Sequence, residues 1–142
     1  MKYIKLFEAF GDSKIDIESI KSNINDIFQD LIDIDYKIDL NIENTDLLPK
    51  YDSYKYEFKL VKQNSSHNDT IDFPVSEIKE YILRMKDYLI SEGMWNDEGC
   101  VNGDVYIFTL PQVFKSFYEF ENIDTDREIY VFNLNFWIHI KK

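Results

Sequence analysis

The sequence predicts an α+β fold: a two-layer sandwich in which a mostly antiparallel sheet of four to five strands carries two amphipathic helices on one face. Three observations predict it. Residues 128–140 place Tyr130, Phe132, Leu134, Phe136, Ile138 and Ile140 in alternation with Ile129, Val131, Asn133, Asn135, Trp137 and His139. Six apolar residues at period two mark a long strand packed on one side, with the earlier strands laid beside it. Two earlier stretches alternate in the same way, and two others repeat apolar residues every three to four positions, the helical period.

Taken in order, the chain opens with MKYIKLFEAF. Tyr3, Leu6, Phe7 and Phe10 fall at helical spacing, and Gly11 suits the left-handed residue after a helix end; a short strand is the alternative. The form M-K-x-I-K-L-F-E-x-F resembles the openings of otherwise unrelated small proteins of tailed bacteriophages with AT-rich genomes. The resemblance implies a phage-encoded protein whose leader docks on another phage component. The residues alone also suit an amphipathic segment packed on its own core. The division expected is an N-terminal segment, residues 1–12, and one domain, residues 13–142.

Asp12 and Ser13 supply cap chemistry. Ile17, Ile20, Ile24, Ile27, Phe28, Leu31 and Ile34 then predict one helix over residues 14–34. Its outer face carries Asp26, Asp30 and Asp33, with Asp35 just beyond and no lysine in that stretch to relieve them. Carboxylates stacked at a helix C-terminus oppose the macrodipole and repel one another. A broken local rule points to function, here a surface for a basic partner, although an acidic chain also collects Asp on solvated faces.

Tyr36, Ile38, Leu40 and Ile42 alternate with Lys37, Asp39 and Asn41, a half-buried strand. Residues 44–52, with Pro49, read as a loop. Tyr54, Tyr56, Phe58 and Leu60 form a second strand, antiparallel to the first, with Lys55 and Lys59 near Asp39 and Lys37. Residues 63–70 are polar and predict an exposed hairpin or loop tip; His67 and Asp69 there are too few ligands for a metal site. Pro74 and Ser76 open a second helix that runs to Glu92 before Gly93, with Ile78, Tyr81, Ile82, Met85, Tyr88 and Leu89 as its apolar stripe.

Residues 94–104 are turn-rich, with Asn102-Gly103 a tight-turn signal. Asp97, Glu98 and Asp104 lack calcium-loop spacing. Met94 and Trp95 read as core more readily than as a partner anchor. Residues 105–110 make a short strand ended by Pro111. Residues 112–121 suit a helix through Val113, Phe114, Phe117 and Phe120, or a strand through Phe114, Ser116, Tyr118 and Phe120. Aromatic content favours the strand. If residues 1–10 were also a strand, the order would begin β-α-β-β-α-β, the ferredoxin-like arrangement.

Composition limits the function classes. The net charge of −11 disfavours nucleic acid and anionic membrane as direct partners. No apolar run approaches the length of a membrane span, and residues 1–11 lack the apolar core of a signal peptide. A lone Cys100 excludes a disulfide framework and suits a reducing cytoplasm or a virus particle; the phage resemblance implies the cytoplasm of a bacterial host, or a virion. Four glycines are too few for phosphate-cradling loops, and no nucleophile elbow, P-loop or zinc motif appears. No metal, cofactor or catalytic residue is expected. Residue types allow a Cys100–His139 dyad, but spacing does not support one.

The remaining constellation is the open face of the last strand: Asn133, Asn135, Trp137 and His139. Such a row binds a partner through Trp137 unless another element covers it. The expectation is therefore a small acidic, non-enzymatic protein that binds another protein with a basic surface, in the manner of an inhibitor competing with nucleic acid. The alternatives are a structural or cargo component of a phage particle, and an enzyme with an unrecognised site.

Overall fold

The computed structural model describes residues 16–45, 50–64, 69–95, 105–122, 124 and 126–141. The expectations for residues 1–10, Asp12, Ser13, Pro49, His67, Asp97, Glu98, Cys100, Asn102-Gly103 and Asp104 lie outside these. Four helices and seven strands are described: α1 (Ile17–Ile27), α2 (Gln29–Ile32), β1 (Tyr36–Thr45), β2 (Tyr51–Gln63), β3 (Thr70–Ile71), β4 (Phe73–Pro74), α3 (Val75–Ser91), β5 (Tyr106–Leu110), α4 (Phe117–Asn122), β6 (Glu128–Ile129) and β7 (Val131–Lys141).

The fold is α+β, with a mostly antiparallel sheet as its frame. The main sheet runs β1-β2-β7-β5, and β3 pairs the end of β2. Each neighbouring pair is antiparallel. β2 and β5 are therefore parallel to each other, with β7 between them and α3 in the crossover, a split βαβ unit. The inner position that a ferredoxin-like order gives to an N-terminal strand is held by β7, from the other end of the chain. β4 and β6 form a separate two-stranded ribbon.

The even-numbered side chains of β2 and β7 supply the core: Tyr54, Tyr56, Phe58 and Leu60 against Phe132, Leu134, Phe136 and Ile138, all buried. α1 and α3 cover this face with Ile20, Ile24, Ile78, Ile82, Met85 and Leu89. Phe28 packs on Phe58 with ring centroids 5.0 Å apart. Phe136 stacks on Tyr56 at 4.6 Å and meets Trp95 at 5.1 Å. Met94 and Trp95 are thus core residues. α3 ends as expected, with Gly93 at φ +75°, a left-handed backbone that glycine adopts without steric cost.

Four expectations are corrected. The single helix over residues 14–34 is broken at Phe28, whose non-helical backbone separates α1 from α2. The last turn of α1 holds Asp26 and no basic residue, the condition that frays a helix C-terminus. Ile34, placed in the apolar stripe, is exposed beyond this break.

The long C-terminal strand is also interrupted. Ile129 is fully buried and Tyr130 is 41% exposed, the reverse of the alternation. The Leu110 carbonyl accepts the Tyr130 N–H at 2.7 Å while Leu110 is registered with Val131. Tyr130 is the extra residue of a β-bulge, and one extra residue reverses the phase of every side chain before it.

The strand favoured for residues 112–121 is instead an irregular stretch leading into α4. Phe114, Phe117 and Phe120 are buried at helical spacing and Tyr118 is 75% exposed. Ser116 Oγ accepts the Glu119 N–H at 3.2 Å, and Glu119 Oε1 accepts the Lys115 N–H at 2.8 Å, so the start of α4 is capped from both directions. Finally, the loop over residues 44–52 is shorter than expected: Asn44 and Thr45 remain in β1, and Tyr51 and Asp52 already belong to β2.

Candidate functional site

Odd-numbered residues of β2 and β7 face away from the helices, and the register sorts them into rows. One row reads Asp39, Lys59, Asn133, Phe108; the next reads Asn41, Glu57, Asn135, Tyr106; a third reads Glu43, Lys55, Trp137. With strands about 4.8 Å apart, a four-residue row spans about 14 Å. Tyr106 is 59% exposed and Phe108 43%. Asn133, Asn135, Trp137 and His139 are half-buried. The predicted row of β7 is therefore one stripe of a wider outer face, and β5 adds two aromatic side chains that pattern reading of a five-residue strand did not single out.

The polar groups of this face are tied to one another. Asn41 Nδ2 donates to Glu57 Oε1 at 3.3 Å. Lys55 Nζ pairs with Glu57 Oε2 at 3.3 Å and lies 5.8 Å from the centre of the Trp137 ring. Lys55 is opposite Glu43, and Lys59 is opposite Asp39 as expected; Lys37 faces Val61. Lys37, Lys55 and Lys59 balance Asp39, Glu43 and Glu57 on this side of a chain whose net charge is −11. The acidity lies elsewhere.

Much of it lies on the helical layer. Residues 16–35 hold six carboxylates and the single Lys21. Asp26, Asp30, Asp33 and Asp35 are all exposed. Gln29 Nε2 donates to Asp33 Oδ1 at 2.9 Å, and Asp35, at φ +77°, turns the chain into β1. The two predicted groups are not brought together: the aspartates flank the covered face, and Asn133 to His139 lie on the other.

His139 Nδ1 is 2.8 Å from Ser53 Oγ, its cross-strand partner. A hydroxyl beside an imidazole has the residue types of a nucleophile and base. Ser53 has no exposed surface, so no substrate reaches its oxygen, and the pair joins β2 to β7. Only the register reveals this pairing, so sequence spacing could not.

Two further polar clusters lie at the edges of the core. Lys86 is buried, pairs with both Glu121 oxygens at 2.9 and 2.8 Å, and lies 5.8 and 5.6 Å over the Trp95 and Phe117 rings. It ties α3 to α4. A visible signal was a lysine four positions after Ile82 and three before Leu89, inside the apolar stripe. In the other cluster, Tyr36 Oη donates to Glu77 Oε1, which also accepts Lys62 Nζ at 3.3 Å. Burial, then the Glu77 hydrogen bond and charge, push the Tyr36 phenol far above its ordinary range. Burial, then the neighbouring Tyr88, raises that of Tyr56, whose hydroxyl donates to Met85 Sδ at 3.1 Å.

Among the described residues, no group of three or more His, Cys, Asp or Glu side chains is arranged to hold a metal ion, and no helix is long and apolar enough to cross a membrane. No family model, curated protein or solved structure matches the chain.

Proposed function

We propose that this chain is a small, non-enzymatic protein-binding protein and that the outer face of its sheet is the contact surface. The observation that carries this reading is the exposed pair Tyr106 and Phe108 beside the Asn133 and Asn135 amides, on the face that the helices leave free. Aromatic anchors with hydrogen-bonding neighbours supply most of the affinity of such surfaces. A charge-balanced face lets a partner approach an otherwise acidic molecule. Following the resemblance of the opening residues, the proposed setting is an infected bacterial host or the phage particle, where the chain would be a structural or cargo component.

A second reading is favoured by the exposed aspartates of α1 and α2: Asp26, Asp30, Asp33 and Asp35 meet a basic surface and compete there with nucleic acid. Salt separates the two, because screening weakens a charge-steered contact and leaves an aromatic one largely intact. The test is affinity capture from source-cell lysate at low and high salt, with Tyr106→Ala/Trp137→Ala and Asp26→Asn/Asp30→Asn/Asp33→Asn chains that keep the parent circular dichroism. The first reading predicts loss of about tenfold or more in capture for the aromatic variant alone. Equal capture by the parent and the aromatic variant would refute it, and loss confined to the aspartate variant at low salt would establish the second.

A further inference from the structure

β1 forms one edge of the main sheet. The Asp35 carbonyl accepts the Gln63 N–H at 2.9 Å, and the register that pairs Tyr36 with Lys62 puts these two residues opposite each other. Odd-numbered residues of β1 therefore bond to β2, and even-numbered ones turn their N–H and C=O groups the other way. Among the described residues, β2 is the only strand paired with β1, and no backbone bond of Ile38 or Leu40 lies outside that pairing. Ile38 and Leu40 are half-buried, whereas Leu60 and Phe58 opposite them are fully buried. Ile27 and Ile32 of the helical layer are half-buried as well. Ile42 is buried, so the open stretch is residues 37–41, about 17 Å of strand.

We propose that this stretch takes up an extended segment of a partner protein, in which apolar residues alternate with basic ones, as an added antiparallel strand. Ile38 and Leu40 each exchange an N–H and a C=O bond with the apolar residue opposite. Those apolar side chains lie on the inner face and cover the surface that Ile38 and Leu40 leave open. The basic side chains fall on the other face, beside Asp39. Charge sets the sign of the partner: residues 26–43 hold six carboxylates and the single cation Lys37. Among the described residues, neither Asp39 nor Glu43 is in an ion pair. Charges on an edge strand turn most strands away, and these leave it open to a basic one. β1 and β5 stand at opposite ends of the sheet order, so this site goes beyond the contact surface around Tyr106 and Phe108 and is separable from it.

The probe is a short fluorescein-labelled peptide that alternates valine with lysine and threonine, read by fluorescence anisotropy against the full chain. Binding is expected at low salt and should weaken at high salt. Leu40→Pro removes one edge N–H at a position where a strand tolerates proline. With the parent circular dichroism, it should bind about tenfold or more weakly. The same peptide N-methylated at every valine keeps its charge and side chains but cannot pair, and it should lose binding to the parent chain to a similar degree. Asp39→Asn/Glu43→Gln should bind more weakly than the parent at low salt and equally at high salt. Tyr106→Ala/Trp137→Ala should bind as the parent does, which separates this site from the outer face. Absence of peptide binding at low salt, equal binding of the N-methylated peptide, or loss confined to Tyr106→Ala/Trp137→Ala would overturn the proposal.

Discussion

Phe136→Ala is expected to lower the unfolding free energy by about 3 to 5 kcal/mol, the range for removing a buried phenylalanine. Phe136 is buried at the centre of β7, stacked on Tyr56 and tilted against Trp95. It joins β2 and the segment after α3, so no single neighbour can relax into the space it leaves. Urea unfolding followed by circular dichroism measures the change. A loss below about 1 kcal/mol would mean that this face is not the packed one.

Alkaline pH should produce the second large effect. In the unfolded chain, Tyr36 and Tyr56 titrate near pH 10. In the folded chain, both phenols are held in the neutral form: Tyr36 by burial and then Glu77, Tyr56 by burial and then Tyr88. The unfolded state then releases protons that the folded state keeps. Stability from these groups is complete below about pH 9 and falls as pH rises through 10, by up to about 1.4 kcal/mol per unit for each tyrosine. The two together should remove about 2 kcal/mol between pH 10 and 11. Urea midpoints across that interval give the slope, to which Tyr88, raised chiefly by burial, also adds, and Tyr56→Phe should lower it by one tyrosine's share. An unchanged slope in Tyr56→Phe would contradict the assignment.

The parts of the fold legible in the sequence are those in which one period runs uninterrupted. Tyr54 to Leu60 and Phe132 to Ile138 alternate without a break, so the strands and their covered face are apparent from residue type. α3 is equally plain, because its stripe is framed by Pro74 and Gly93. The errors fall where one residue changes the phase. Tyr130 continues an apolar alternation by type, but the bulge turns it outward and sends Ile129 in. Phe28 continues the period of α1 by type, yet the turn before it holds Asp26 and no cation to hold the helix end together. The start of α4 was written in Ser116 and Glu119, a capping pair overshadowed by four nearby aromatic residues.

The candidate site was half legible. Asn133, Asn135, Trp137 and His139 stand out because polar residues interrupt an otherwise apolar strand. Tyr106 and Phe108 do not, since aromatic residues in a short strand look the same whether they face the core or the solvent. Their exposure depends on the register of β5 against β7, which pairs Tyr106 with Asn135 and Phe108 with Asn133. The Ser53–His139 contact joins residues far apart in the chain and has no local signature.

The most direct measurement is hydroxyl-radical footprinting of aromatic side chains. Tyr106 and Phe108 should oxidise readily while Phe132 and Phe136, neighbours on the adjacent strand but facing the helices, stay protected. Equal protection of all four would show that both sides of the sheet are covered and that no contact surface is left free.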